Sequence, residues 1–521
     1  MISEFELFSD LLKGESREHK TALICQEETY TFGELRRAVE LCASDLVKLG
    51  VKEGDHVAVW GYNSINWVVT MMAVVRLGAV AVLVNYNLAS KYIAPLLEFS
   101  DVNFLAYGLN RDTKQDSDMG GALAKIIGIG DKTYRFTDMD YKARLSAGEQ
   151  PVELPEENPD GNRDSVIIFT SGTTAMPKGV LLSQKSVLNN GLGAGTHLQY
   201  LDHRQNMGCL ALPLFHSYGL TVLFALLQWE TPGNLISELK PDVLIDAIGK
   251  YHIGILFSIG ILNKGMLASP RFSTEVAPYL RWSVLGGEFA DAKTILRVHQ
   301  LYPDIVYLVG FGQTEAGPII SLNTPWDTVE NRANTVGTAM GDTQIRIVDP
   351  TSRNVLETGK AGEVWVKSDS LMNGYYKLPP EKQAIDADGW LHTGDLGYTD
   401  EHDHLWLTGR LKDIIIKNGE NISPKEVENA LLLCPGVKAA CVLGTPSKTS
   451  GEQINACLIM AEGCSFDERF IRTQLGKLIP TIKIPERFFI FDAFPMNDNG
   501  KIAARTLREK ILLDMNENRG E

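Results

Sequence analysis

The residues best suited to chemistry lie in Thr170–Gly179, TSGTTAMPKG, directly after the apolar run Val166–Phe169. Thr170, Ser171, Thr173 and Thr174 supply hydroxyls, Gly172 and Gly179 free the backbone, and Lys178 supplies a point charge. A turn at a strand end with exposed N–H groups, hydroxyls and an ammonium makes a cradle for phosphate oxygens. It is not the G-x-x-x-x-G-K-[ST] loop, because Gly179-Val180 follow Lys178. A merely flexible Ser/Thr/Gly turn would not account for the Pro177-Lys178-Gly179 ending.

Further clusters follow in order. In Val309–Glu315, VGFGQTE, Gly310 and Gly312 let the backbone approach something flat, and Phe311 offers a stacking face. Thr314 can donate a hydrogen bond, and Glu315 can hold a divalent cation that bridges phosphates. A strand end with a solvated Glu would look similar. Ser283–Phe289, SVLGGEF, places Gly286, Gly287 and Glu288 after a strand, which suits close ligand approach or an ordinary tight turn. Asp395 sits between glycine-bearing turns, where a carboxylate can accept both hydroxyls of a ribose. Gly409-Arg410 comes next, and Lys501 closes the turn PMNDNGK after the strand-like RFFIF.

These groups need a scaffold. Thr31 with Glu34 three residues on reads as a helix start, and HVAVW at His56–Trp60 as a strand. Trp67–Val84 is the most membrane-like stretch, but Arg76 and Gly78 interrupt it, so it reads as a buried helix followed by a strand. Repeated strand–helix–strand order calls for a mainly parallel sheet covered on both faces. Pro151–Arg163 reads as an exposed connector. After about residue 340, QIRIVDP, GEVWVKS and HLWLTGR are short alternating strands, antiparallel or barrel-like. The expected fold is therefore α/β. A large N-terminal domain, 1–411, carries βα-layered sheets and a small barrel-like β portion, and a small α+β domain occupies 412–521.

Composition sets outer bounds. The 521 residues are 44% hydrophobic and 22% charged, which excludes a wholly disordered chain. A formal charge of −15 argues against holding nucleic acid by phosphate neutralisation. From Arg410 onward 16 basic residues meet 15 acidic ones. That fits a second domain approaching anionic ligands, and equally an uneven surface charge. Seven cysteines without a C-x-x-C pair suggest reduced thiols and a cytoplasmic protein, and the N-terminus lacks a signal pattern.

Taken together, the ordered clusters resemble the adenylate-forming family of acyl-CoA synthetases, peptide-synthetase adenylation domains and beetle luciferases. Thr170–Gly179 is similar to T-S-G-[ST]-T-G-x-P-K-G, Phe311–Glu315 to Y-G-x-T-E, and Gly389–Asp395 to G-W-x-x-T-G-D. Arg410–Glu428 is similar to R-x-K-D-x-I-x-x-x-G-x-x-I-x-P-x-E-[IV]-E, and Asn497–Lys501 to N-x-x-G-K. The resemblance runs from about Thr31 to Lys501. Ala175 replaces the usual glycine and Phe311 the usual tyrosine, and neither change removes a charge.

The resemblance implies a ligase that joins a carboxylic acid to CoA through an acyl-AMP, using ATP and Mg²⁺. It implies that the Thr170–Gly179 loop and Lys178 hold the β- and γ-phosphates, and that Glu315 with Thr170 places Mg²⁺. Phe311 would stack on adenine near Gly286-Gly287, and Asp395 and Arg410 would hold the ribose. Lys501 would bridge the substrate carboxylate and the α-phosphate. Rotation about a hinge at Lys412 would then withdraw Lys501 and bring the loop around Gly419 to the pantetheine. His216, in PLFHSYG, matches a position lining the acyl entrance.

A free CoA ligase is favoured, since no carrier segment follows Lys501. The alternatives are an enzyme loading a carrier protein, a luciferase-like oxygenase, and an inactive nucleotide- or acyl-binding relic. Against the relic stand Lys178, Glu315, Asp395, Arg410 and Lys501. Peptide-synthetase domains carry an Asp where this chain reads Phe215-His216, so an α-amino acid substrate is disfavoured and a fatty, aryl or alicyclic acid expected. His392, His402 and His404 lie close together with no Cys nearby, which disfavours a structural metal, and no G-x-S-x-G elbow exists. Monomer and homodimer are both open.

Overall fold

The computed structural model describes the chain except residues 1–3, 89, 110–112, 171–176, 201, 203–205, 288–291, 419, 448, 497–501 and 518–521. Side chains at 90, 91, 113–118, 421, 516 and 517 are likewise not described. Ser171, Gly172, Thr173, Thr174, Glu288, Gly419 and Lys501 therefore lie outside the described residues or side chains.

The chain divides into two compact units. The first comprises Met1–Ile345 and Val366–Leu391, the second Arg346–Trp365 and His392–Glu521. The architecture is mixed α/β, as the alternating patterns require.

Two sheets build the first unit. One runs in the order Gly374–Tyr375, Lys178–Ser183, Asp164–Thr170, Val80–Val84, His56–Gly61, Phe104–Gly108, Thr133–Arg135. Its inner pairings are parallel, with Val57 opposite Ala81 and Phe104. Strand Val80–Val84 is buried throughout, as a sheet covered on both faces demands. The other sheet carries the parallel strands Gly208–Leu210, Ile255–Ser258, Trp282–Leu285 and Val306–Gly312 side by side.

Local sequence explains the elements between. Helix Phe32–Leu49 opens on a capping box: Glu34 N–H donates to Thr31 Oγ1 at 3.2 Å, and Thr31 N–H donates to Glu34 Oε2 at 2.9 Å. It ends on Gly50 at φ +101°, a left-handed cap that glycine adopts without strain. The membrane-like stretch resolves into helix Ile65–Arg76 and strand Val80–Val84. Every helix residue from Trp67 to Val75 is buried, so its apolar character serves the core. Arg76 at its end donates to the Pro155 carbonyl and pairs with Glu157 at 3.4 Å, tying down the connector that lies over it. Among the described residues no helix is long and apolar enough to cross a membrane.

The second unit includes most of a sheet ordered Gln344–Val348, Gly362–Lys367, Leu391–Thr399, Leu405–Arg410. Its last two strands form an antiparallel hairpin. A five-stranded sheet follows, centred on Gly451–Met460. Ile415, Val427, Leu431, Ile454 and Ile471 pack on one face, and Cys441, Cys457, Phe494, Leu507 and Ile511 on the other. The expected boundary at Lys412 falls inside this unit, on the short turn Leu411–Asp413. The Ser423 hydroxyl donates to the Thr408 carbonyl, which ties the hairpin to the start of helix Pro424–Leu432. Gly409 makes room, since a Cβ there would sit 2.8 Å from Ser423 Oγ.

Candidate active site

Strand Asp164–Thr170 precedes residues 171–176 and strand Lys178–Ser183 follows them. The two pair antiparallel with Thr170 directly opposite Lys178, so a hydroxyl residue and a lysine face each other at the end of the ladder. The Lys178 Nζ stands 4.2 Å from the centroid of the Tyr375 ring, a cation–π contact. The Tyr375 hydroxyl donates to Glu315 Oε1 at 2.9 Å. Three residues far apart in sequence thus form one contact chain, ammonium to ring to carboxylate. Burial, and after it the Glu315 charge, pushes the Tyr375 phenol far above its ordinary value, so it stays protonated and a donor.

Glu315 is presented by a tight corner. Strand Val306–Gly312 ends and the turn Thr314–Ala316 follows. Glycine is required at 312, where a Cβ would lie 1.8 Å from the Pro318 carbonyl oxygen. Gly317 closes the turn at φ +93°. Met372 N–H donates to the Glu315 carbonyl at 3.0 Å, and Asn190 holds both the N–H and the C=O of Ile319. Thr314 Oγ1 lies 3.1 Å from Ser217 Oγ, linking the corner to the segment that bears His216. Phe311 is half-buried in the strand just before.

His216 is the residue preceding helix Ser217–Gln228, and its ring is 4.4 Å from that of Phe215. Asn63 fixes the approach: its amide donates to the Leu212 and Ile236 carbonyls, and its oxygen accepts from Leu214 N–H. Tyr86 meets Phe215 edge-on at 5.0 Å, and Tyr62 lies 4.6 Å from Tyr86. Burial, with a smaller contribution from Tyr62, pushes the Tyr86 phenol up to about 12, so the Tyr86 ring beside Phe215 is neutral. Gly286 serves a packing need: a Cβ there would come within 2.9 Å of the Tyr218 ring, whose hydroxyl donates to the Val284 carbonyl. Gly287, at φ +82°, has open space where a Cβ would stand.

In the second unit Asp395 and Arg410 are direct cross-strand partners. Arg410 Nε donates to Asp395 Oδ1 at 2.8 Å; the carboxylate is buried while half of the guanidinium side chain is exposed. Asp395 N–H donates to Thr393 Oγ1 at 3.0 Å, and that hydroxyl donates to the Val364 carbonyl at 2.7 Å. Glu363 accepts from Gly394 N–H and from Trp365 Nε1, which fixes the turn before Asp395. Trp365 in turn stacks on His392 at 3.8 Å. Lys412 is exposed on the turn that follows Arg410.

The donor chemistry suits the groups expected. Thr170 and Glu315 offer hydroxyl and carboxylate oxygens, the ligand type of a hard divalent cation. Among the described residues no cluster of three His, Cys, Asp or Glu side chains could hold a metal by itself. The sequence singles out Lys178, Glu315, Asp395 and Arg410 but not Tyr375, which bonds Glu315, or Glu363, which holds the turn before Asp395. Tyr375 carried only a weak signal, Gly374-Tyr-Tyr between apolar and polar runs.

Fold and donor set together define an enzyme that handles a nucleoside phosphate. The chain belongs to the AMP-binding enzyme family: the family pattern matches residues 13–376, and that of its C-terminal domain matches residues 426–501. Indoleacetate–CoA ligase of Aromatoleum aromaticum is 30% identical, over 94% of this chain and 95% of its own. The mitochondrial medium-chain acyl-CoA ligase ACSF2 of Mus musculus is 26% identical, over 92% and 83%. The o-succinylbenzoate CoA synthetase of Bacillus subtilis, solved with its acyl-adenylate intermediate, superposes with a TM-score of 0.80 at 25% identity, covering 96% of this chain and 97% of that one.

Proposed function

We propose that this AMP-forming acid–CoA ligase acts on a fatty, aryl or alicyclic carboxylic acid, with the phosphates held beside Lys178 and Mg²⁺ held by Glu315 and Thr170. The supporting observation is the contact chain from Lys178 through Tyr375 to Glu315. It joins a phosphate-binding cation and a metal-binding carboxylate in one pre-fixed group.

The chemical problem is that a carboxylate is a poor electrophile and its leaving group would be oxide. Attack of the carboxylate oxygen on the α-phosphorus of ATP releases pyrophosphate and leaves an acyl-AMP. The CoA sulfur then attacks the acyl carbon and AMP departs. Both reactants of the first step are anionic, so charge and alignment must come from the protein. Lys178 and the hydroxyls of Thr170, Ser171, Thr173 and Thr174 bind the β- and γ-phosphates, with Gly172 freeing the backbone. Bound Mg²⁺ neutralises the phosphate oxygens. Phe311, beside Gly312, stacks on adenine, with Gly286, Gly287 and Glu288 along its edge. Thr314 donates a hydrogen bond to the nucleotide. Asp395 and Arg410 bind the ribose. Lys501 supplies the cation between carboxylate and α-phosphate.

For the second step we assign the pivot to Lys412 and the pantetheine contact to the loop at Gly419. His216, with the neutral rings of Phe215 and Tyr86, lines the acyl entrance, which favours apolar acids. CoA rather than a carrier protein is the proposed acceptor. None of the seven cysteines is in a disulfide and six are buried, which suits a reducing cytoplasmic setting. The test is pyrophosphate release from ATP, Mg²⁺ and candidate acids, followed by the dependence of steady turnover on CoA.

A further inference from the structure

Tyr375 is held more rigidly than a wall residue needs. Its backbone pairs with Val180 in strand Lys178–Ser183, and Gly374 pairs with Leu181. Tyr375 N–H donates to Gln383 Oε1 at 2.7 Å, and Gln383 Nε2 returns to the carbonyls of Tyr375 and Leu378. Tyr376 N–H donates to the Gly179 carbonyl at 2.8 Å. On the far side Tyr376 and Lys377 are anchored to Asp101, each at 2.6 Å. The ring of Tyr375 is therefore fixed from its own strand outward, and the residue is only 6% exposed. Its two chemical features meet different partners: the ring face meets Lys178, and the hydroxyl meets Glu315.

We propose that Tyr375 is a positioning residue for the nucleotide–metal site, its hydroxyl fixing the Glu315 carboxylate so that Oε2 serves the cation, and its ring fixing the Lys178 ammonium. This rests on the reading that Glu315 holds Mg²⁺ and Lys178 holds phosphate. The physical advantage is prior ordering. Free glutamate and lysine side chains lose rotamer freedom when they bind, and a fixed partner removes that loss beforehand. Partners behind a metal ligand commonly change metal affinity by 10- to 100-fold when removed. A tyrosine is needed because the two duties are separable: phenylalanine keeps the cation–π face and loses only the donor.

The test uses the full-length protein and two equilibrium readouts. One is the affinity for a fluorescent ATP analogue in EDTA. The other is Mn²⁺ affinity of the complex with a non-hydrolysable ATP analogue, read by electron paramagnetic resonance. Tyr375→Phe should weaken Mn²⁺ binding about 10-fold and leave the affinity in EDTA within about twofold. Tyr375→Leu should in addition weaken nucleotide binding in EDTA, by about fivefold, through loss of the ring under Lys178. Glu315→Gln should weaken Mn²⁺ binding, and Tyr375→Phe/Glu315→Gln should be no worse than Glu315→Gln alone. If Tyr375→Leu does not fold, the phenylalanine arm decides by itself. Unchanged Mn²⁺ affinity in Tyr375→Phe, with a clear loss in Glu315→Gln, overturns the role of Tyr375 and leaves the metal role of Glu315 standing. No loss in Glu315→Gln overturns both.

Discussion

Arg410 Nε lies 2.8 Å from Asp395 Oδ1, across a ladder in which the two residues face each other directly. The pair is asymmetric, with a buried carboxylate and a half-exposed guanidinium. Burying a carboxylate is costly unless it is paired, so the geometry stores one oriented acceptor beside one oriented donor. Asp395→Ala should raise the KM for ATP at least tenfold, and the penalty should shrink when the nucleotide lacks ribose hydroxyls. Steady-state kinetics with ATP and with 2′- and 3′-deoxy analogues checks this. An unchanged ATP dependence removes Asp395 from the ribose role.

Lys501 is assigned to the first half-reaction alone. Lys501→Ala should slow pyrophosphate release by roughly 10²–10³, the order lost when one pre-oriented charge-stabilising donor is removed. Thioester formation from supplied acyl-AMP should fall far less. Rapid-quench measurement of the two half-reactions separately decides the matter, and equal losses in both count against a lysine used in one step only.

The anchor behind Tyr375 has its own pH signature. Lys377 beside Asp101, and then Tyr376, hold the Asp101 carboxyl below the usual carboxylate range. A depressed folded value means that the stabilisation is complete above the unfolded value, about 3.9, and is lost as pH falls through the folded one. The Lys377–Asp101 pair is largely solvent-exposed, so the contribution is under about 1 kcal/mol. Asp101→Asn should therefore lower stability slightly and equally from pH 8 to pH 5, and the difference should disappear on further acidification. Denaturant titrations of both proteins across that range test it. A difference that persists unchanged on acidification would contradict it.

Much of the site was legible because its signals are local. Thr31 and Glu34 lie three residues apart and cap each other in space as in sequence. Lys178 and Glu315 stood out because a hydroxyl-rich loop and a glycine-flanked carboxylate are unusual within a few residues. Tyr375 did not, because its meaning arises only when a two-residue strand pairs with Val180 and Leu181. Gly286 stood out as a point of nucleotide approach, and the Tyr218 ring that packs where its Cβ would be was not legible beside it. The bond from the Ser423 hydroxyl to the Thr408 carbonyl, inside the second unit, is a contact that no pattern of hydrophobicity could reveal.

The central claim is that activation of the acid precedes and is separable from thiol transfer. The most direct measurement is rapid-mix pyrophosphate release from enzyme, ATP, Mg²⁺ and a panel of fatty, aryl and alicyclic acids, without CoA. For an accepted acid the account predicts a burst of one pyrophosphate per enzyme with acyl-AMP retained, and steady turnover only when CoA is added. Release of ADP and phosphate in place of pyrophosphate, or full-rate turnover without CoA, would contradict it.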